Sequence, residues 1–435
     1  MDILIKNVTA ATMDEKNTVL YGAYIGIKDG LIRYIGEDEP PEKARETIDG
    51  GGKLIMPGLI NSHTHIPMTL FRGYADDYDL HTWLYDYIFP AEDRLDARAV
   101  KAGALLGLAE AIMTGTTSIS DMYYFCDAIS ESVVEAGIKA NISRGMTDFG
   151  KDFNFSAFQP ANETRELVER WNGYNGGQIR VDCSVHAEYT SHSRLWRAAA
   201  ELARENGIGM HVHLSETRGE HDSCVEKYGK TPAALFEECG IFDVRTTAAH
   251  CVWVTDEDMD ILARHKVTAV HNPVSNSKLA SGICPVKKLV SKGVNVALGT
   301  DGVSSNNSHD MFEEIKTAVL LGRVSSLDPL SVSKYDMLRA ATVNGAKGQG
   351  REHECGRIAE GYDADLIMLD FTSPSMTPCH DALSNLAFSA CGRDVCLTMV
   401  RGRILYRNGE FTGLDIEKIK REVVDYAVPK VMGSI

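Results

Sequence analysis

The chain has no apolar run of about 18 residues, the length a membrane-spanning helix needs. It also has no surplus of positive charge: 45 Lys+Arg stand against 61 Asp+Glu, a net charge of −16. That balance argues against a nucleic-acid backbone or an anionic membrane surface as the main partner, because both are bound by a basic face. The first residues, Met1-Asp2-Ile3-Leu4-Ile5-Lys6, lack the basic start and apolar stretch of a secretory signal, so the expected location is cytoplasmic. The ten cysteines never form a Cys-x-x-Cys pair, which excludes the spacing of a zinc ribbon and the look of a disulfide scaffold; most are expected to be reduced core thiols. His-Glu-x-x-His, Gly-x-x-x-x-Gly-Lys-Ser/Thr and Gly-x-Ser-x-Gly are absent as well. His186-Ala187-Glu188 matches half of one zinc-deaminase signature, but its Pro-Cys-x-x-Cys partner is missing.

What is present is 435 residues, 44% of them hydrophobic, enough for a large buried core. Between residues 57 and 356, apolar runs alternate with longer Ala/Leu/Glu-rich helical stretches such as Ala97–Met113 and Leu195–Glu205. This is the pattern of parallel strands joined by crossover helices. The runs are Leu59–His63, Thr117–Asp121, Ala140–Arg144, Ile179–His186, Gly209–Leu214, Thr246–His250, Val267–His271 and Val294–Asp301, eight in all. Eight strand-helix units predict a closed (β/α)₈ barrel, the TIM-like α/β class, whose active site lies at the carboxyl ends of the strands. Residues 1–56 and 357–435 are strand-rich, with Asp29-Gly30 and Asn408-Gly409 as hairpin signals. These segments are expected to pair into a small β-sandwich beside the barrel, with a late helix over Asp415–Tyr426.

The strand ends carry His63 with His65 just beyond, Asp121, Arg144, His186, His213, His250, His271 and Asp301. In Asn61-Ser62-His63-Thr64-His65 the two imidazoles stand at i and i+2, one face of an extended strand, so both can reach one ion. Imidazole suits zinc, iron or copper; the plainer reading is a pair of hydrogen-bonded loop histidines. His211-Val212-His213-Leu214-Ser215-Glu216 repeats the spacing and adds a carboxylate, and spacing alone leaves open whether His211, His213 or both bind metal. Metal-assisted hydrolysis needs such a non-ligating carboxylate to move protons, since a metal lowers the pKa of its water toward about 7. An acid at a helix start is the ordinary alternative for Glu216. Asp301, before Gly302, reads as a turn residue unless its place at the end of strand eight matters. His250 and His271 read equally well as core-facing histidines. Ile179–Tyr189 holds no Lys that could be carboxylated to bridge two ions, which favours a single metal.

Pro57-Gly58-Leu59-Ile60-Asn61-Ser62-His63-Thr64-His65, His211-Val212-His213-Leu214-Ser215-Glu216, the strand-ending His250 and Gly299-Thr300-Asp301-Gly302 stand in the order of the amidohydrolase superfamily, which the whole chain resembles. Within it, the stretches Met68–Asp77, Phe89-Pro90-Ala91-Glu92, His271–Gly282 and Ser304-Ser305-Asn306-Asn307 are most similar to the 5′-methylthioadenosine/S-adenosylhomocysteine deaminases. The resemblance implies one divalent metal ion per subunit, zinc by preference, on His63, His65, His213 and Asp301. It implies that Glu216 protonates the purine ring, that Asp301 takes a proton from the attacking water and that His250 orients that water. Glu92 would hold the ribose hydroxyls, Arg144 the amino-acid tail of larger substrates and His186 the purine. The expected substrates are S-adenosylhomocysteine, 5′-methylthioadenosine, 5′-deoxyadenosine and adenosine, turned over by a homo-oligomer with no nucleic-acid or membrane partner. The alternatives are another cyclic amidine, such as guanine, a pterin or a triazine, and a metal-free barrel with a binding role. Two departures stand out: Glu188 replaces the family's usual Pro and would add an acid near the mouth, and Thr147–Phe158 offers only Lys151 where some relatives carry a second arginine.

Overall fold

The computed structural model describes residues 1–150 and 152–433, built on two sheets. Lys151 lies outside the described residues. The larger sheet runs in chain order and wholly parallel: β1 (Leu59–Thr64), β2 (Thr116–Tyr123), β3 (Lys139–Arg144), β4 (Ile179–Ser184), β5 (Gly209–Leu214), β6 (Thr246–His250), β7 (Thr268–His271) and β8 (Asn295–Leu298). Helices cover its outer face, so the strands are buried on both sides and read as near-continuous apolar runs. The expected barrel strands are all there. The fourth stops at Ser184, short of His186, and the eighth at Leu298, because Asp301 takes up a left-handed backbone at φ 64° that a strand cannot hold.

Closure joins β1 to the segment after β8. The Asn61 amide donates to Thr300 Oγ1 at 2.7 Å and accepts from Thr300 N at 3.0 Å, and Asp301 N donates to the His63 carbonyl at 3.0 Å. Gly299 makes this approach possible: a Cβ there would fall 2.8 Å from the backbone N and O of His63. The lower barrel is filled by a polar layer. Gln349 accepts from Ser118 Oγ at 2.6 Å and donates to Ser120 Oγ at 3.1 Å, while the fully buried Arg351 donates to the Ala140, Gly177 and Gln178 carbonyls.

The second sheet has nine strands, five from Ile3–Pro57 and four from Leu366–Phe411, around an isoleucine-rich core of its own. Both anticipated hairpins are present. Lys28 pairs with Leu31 across Asp29-Gly30 and Arg407 with Glu410 across Asn408-Gly409, each two-residue turn having positive φ at both positions. Lys53–Pro57 pairs antiparallel with Leu366–Asp370, so the chain's two ends meet in one sheet. The buried Lys139 of β3 ties that sheet to the barrel through Asp363 at 2.5 Å and Asp365 at 2.6 Å. The late helix starts where expected, at Ile416, widens over Val423–Ala427 and resumes as Val428–Met432. Among the described residues no helix is long and apolar enough to cross a membrane, and all ten cysteines are free thiols, seven of them buried.

Candidate active site

At the carboxyl ends of β1 and β5 the rings of His63, His65 and His213 converge, the His63 centroid lying 4.9 Å from that of His65 and 4.8 Å from that of His213. Each ring spends one nitrogen on the protein. His65 Nδ1 donates to the Met122 carbonyl at 2.5 Å and His213 Nδ1 to the His186 carbonyl at 2.8 Å. His63 Nδ1 lies 2.9 Å from Nε2 of His211. The three Nε2 atoms are left facing one point: those of His65 and His213 are 3.4 Å apart, and that of His63 is buried with no hydrogen-bond partner. Asp301 Oδ1 stands 3.4 Å from His63 Nε2 and 3.3 Å from His65 Nε2. His211 turns away from this point and supports His63, with its Nδ1 3.5 Å from Ser143 Oγ. Of the two histidines, His213 is the one whose Nε2 shares the common point with His63 and His65.

Three bare imidazole nitrogens and a carboxylate oxygen form a donor set that fits one divalent cation. Electrostatics agree. Burial pushes His63 down to about 4, and burial with the neighbouring histidines holds His213 well below its usual range, so both are neutral donors. For His65, burial is outweighed by the Asp301 carboxylate, which lifts the ring to about 9 and marks this point as one where positive charge is favoured. Asp301 is held well below the ordinary carboxylate range, its burial outweighed by hydrogen bonds from His63 and His65. Its other oxygen accepts Ser275 Oγ at 2.7 Å and Ser305 Oγ at 2.9 Å, while Gly302 N donates to Oδ1 at 2.8 Å.

Glu216 and His250 stand next to this set, His250 Nε2 3.5 Å from Glu216 Oε2. Burial pushes Glu216 up to about 7, well above the ordinary carboxylate range. Its Oε1 accepts from Ser281 Oγ at 3.1 Å. His250 Nδ1 donates to Asn276 Oδ1 at 2.8 Å, which leaves Nε2 as the edge facing the cavity. Ser215, His250, Cys251 and Asp301 all have positive φ, between 47° and 72°. Such strained backbone at several strand exits clusters where side chains must be aimed. The run 271–282 now has a physical account: Asn276 orients His250, Ser275 holds Asp301 and Ser281 holds Glu216, three contacts that spacing alone does not reveal.

The cavity over this set holds about 620 Å³ of empty space, counting its open mouth. One wall is the segment between β1 and the helix Ala97–Met113, contributing Leu80, Trp83, Leu84, Ile88, Phe89 and Glu92. Glu92 is half-buried, and the surrounding apolar wall pushes its carboxyl up to about 7. Buried Trp83 Nε1 has no hydrogen-bond partner among the described residues, leaving a donor at the cavity wall. His186 also lines the cavity, its ring 4.6 Å from that of His213, and burial pushes it down to about 3. His271 lies outside this lining as a buried histidine, likewise pushed down to about 3 by burial.

Arg144 lies outside the lining of the main cavity. Its guanidinium lies over the Tyr124 ring at 4.8 Å and donates to Glu163 at 2.5 Å, lining an adjacent cavity with Glu163 and Arg170. Glu188 is no acid at the mouth. It is buried, facing Glu220.

The profile of the Amidohydrolase family matches residues 54–405. The chain is 42% identical over 435 residues, all of both chains, to a 5-methylthioadenosine/S-adenosylhomocysteine deaminase of Caldanaerobacter subterraneus subsp. tengcongensis. It is 43% identical to a 5′-deoxyadenosine deaminase of Methanosarcina acetivorans, over 97% of this chain and 96% of that one. Among solved structures, an adenosine deaminase from Xanthomonas campestris with bound zinc superposes with a TM-score of 0.92 at 29% identity, covering 99% of each chain. An atrazine chlorohydrolase from Arthrobacter aurescens superposes with a TM-score of 0.91 at 23% identity, over 98% of this chain and 100% of that one, a likeness of fold.

Proposed function

The chain belongs to the amidohydrolase family, and on that premise we propose that it deaminates adenosine-type nucleosides with varied 5′ groups, giving the inosine analogue and ammonia. The observation that carries this reading is one cavity lined by His65, His213 and Asp301, with His63 directly behind them, and by Glu216 and Glu92. Relatives at 42% and 43% identity that are named for such substrates support it.

In this reading His63, His65, His213 and Asp301 hold one divalent ion, zinc by analogy with the Xanthomonas campestris neighbour. A zinc ion in such a site supplies Lewis acidity, bringing the pKa of a water down toward about 7. The remaining chemistry is carried by the chain's own groups. Asp301, kept anionic, accepts a proton from the water that adds to the amino-bearing carbon. Glu216 in its acid form delivers a proton to the ring nitrogen beside that carbon, so the ring does not develop negative charge as the C–O bond forms. His250, fixed by Asn276, offers Nε2 to orient the water. Collapse of the adduct, with the proton held by Asp301 passed to the amino group and the hydroxyl proton returned to Glu216, expels ammonia and leaves the oxo ring. Glu92, on the cavity wall, would hold the ribose, since a carboxylate can accept two hydroxyl hydrogen bonds, and His186 would border the purine. The adjacent cavity that Arg144 lines is where a 5′ tail would extend. The net charge of −16 and the free thiols support a cytoplasmic location.

The test is a panel of S-adenosylhomocysteine, 5′-methylthioadenosine, 5′-deoxyadenosine and adenosine, followed by the adenine-to-hypoxanthine absorbance change. At least one is turned over. Turnover of guanine, a pterin or a triazine with none of the four would overturn the reading.

A further inference from the structure

Glu220 is the residue that shapes the loop carrying Glu216. As the third residue of the helix Arg218–Tyr228, it accepts Ser215 N on Oε1 at 3.0 Å, and on Oε2 it accepts Glu216 N at 2.9 Å and Thr217 N at 3.3 Å. Three successive N–H groups thus close on one carboxylate, which holds Ser215 in its left-handed conformation and sets the direction of the Glu216 side chain. Against Glu220 lies Glu188, from the loop after β4. It is 3% exposed, its Oε2 is buried without a hydrogen-bond partner, and its carboxyl is within hydrogen-bonding contact of Glu220.

Two carboxylates in contact in a buried place cannot both be charged. Both oxygens of Glu220 are already engaged as acceptors, and no lysine or arginine is among the main groups acting on Glu188. The other titratable side chains acting on or acted on by the pair include Tyr189, Cys224, Cys251 and Glu216, and burial holds the tyrosine and both cysteines in their neutral forms. The proton that relieves the pair therefore has one economical place, between the Glu188 carboxyl and Glu220.

We propose that Glu188 is a positioning residue: it stays protonated, donates its O–H to the Glu220 carboxylate, and so locks the 215–217 turn that aims Glu216 into the cavity. The proposal rests on the reading of Glu216 as proton donor. It adds a neutral-acid support from a different strand exit, at the position where this chain departs from the family's usual proline. Burial and Glu220 raise the Glu188 carboxyl well above its usual range, in accord with the geometry.

The experiment compares Glu188→Gln, which keeps a neutral hydrogen-bond donor, with Glu188→Ala, which leaves Glu220 unsupported, in the zinc-loaded enzyme. Glu188→Gln is expected to keep kcat within about twofold, while Glu188→Ala loses roughly a hundredfold, the scale of an ångström misplacement of a catalytic group, with KM and zinc content little changed. Infrared difference spectra of wild type against Glu188→Gln should show the loss of one protonated-carboxyl C=O band, a readout independent of substrate. An unchanged infrared spectrum overturns the proposal, as does Glu188→Gln being as impaired as Glu188→Ala, or Glu188→Ala being as active as wild type. If no nucleoside is turned over by wild type, the functional reading fails while the infrared spectrum still decides the state of Glu188.

Discussion

Nδ1 of His63 and Nε2 of His211 lie 2.9 Å apart, so the histidine two residues before His213 acts on the site through another ring. With Nδ1–H donated to His211, His63 must present Nε2 as a lone pair, the form a metal ligand needs. His211 in turn leans on Ser143, whose hydroxyl donates to the Asp121 carbonyl at 3.0 Å. Replacing His211 with Ala should weaken zinc binding by about 10–100-fold, the usual cost of losing such a partner, and leave the fold intact. Chelator competition measures it. Activity should return with excess zinc, whereas wild-type zinc affinity in the variant would refute the relationship.

Glu216 gives a pH dependence with a definite sign. Burial raises its carboxyl to about 7, so the proton-donating form is full below that value and disappears as pH rises through it. We expect kcat to fall on the alkaline side with a midpoint near 7. Glu216→Gln, which cannot deliver a proton, should lose about 10²–10⁴-fold in kcat while retaining zinc, as metal analysis and a pH–rate profile together would reveal.

The strand-end histidines were legible because a parallel barrel strand imposes two simple rules: apolar runs mark the strands, and their carboxyl ends face one mouth. Those rules bring His63, His65, His213, His250 and Asp301 to one mouth together with Asp121, Arg144, His186 and His271; the family resemblance is what singles out the first five. What the rules miss is contact between side chains distant in sequence. The serines that hold Asp301, at 275 and 305, carry no spacing signal, and neither does the Lys139 bridge to Asp363 and Asp365. Glu188 is buried against Glu220 and is not at the mouth, because sequence reveals a charge but not the backbone turn that sends it inward.

Lys139 tests how the two sheets are joined. Its side chain is fully buried, and two aspartates outweigh the burial that would otherwise lower its pKa. Lys139→Ala removes the cation and leaves Asp365 buried without a charge partner, while Asp363 keeps Arg401 at 3.2 Å; the uncompensated Asp365 charge should cost up to about 3–5 kcal/mol. Urea unfolding should show the loss, and adding Asp363→Asn and Asp365→Asn to that variant should recover much of it. A loss below about 1 kcal/mol, the range of an exposed pair, would contradict the assignment.

Arg144 bears on which 5′ groups are accepted. Its Nε donates to Glu163 Oε2 at 2.5 Å, and Glu163 Oε1 accepts from Gln159 at 2.8 Å, so the arginine already has a carboxylate partner held in place from the far side. A substrate tail ending in a carboxylate must compete with Glu163, whereas a methylthio or deoxy 5′ group meets no such competition. Glu163→Gln removes the competing charge and leaves the amide able to keep its contact with Gln159. Glu163 is partly exposed, and ion pairs of that kind are worth no more than about 1 kcal/mol. The expected gain in kcat/KM for S-adenosylhomocysteine is therefore about fivefold, with 5′-deoxyadenosine unchanged. Parallel kinetics on the two nucleosides separate this from a general effect, since an equal change for both substrates would mean that Glu163 supports the loop and takes no part in selecting the tail.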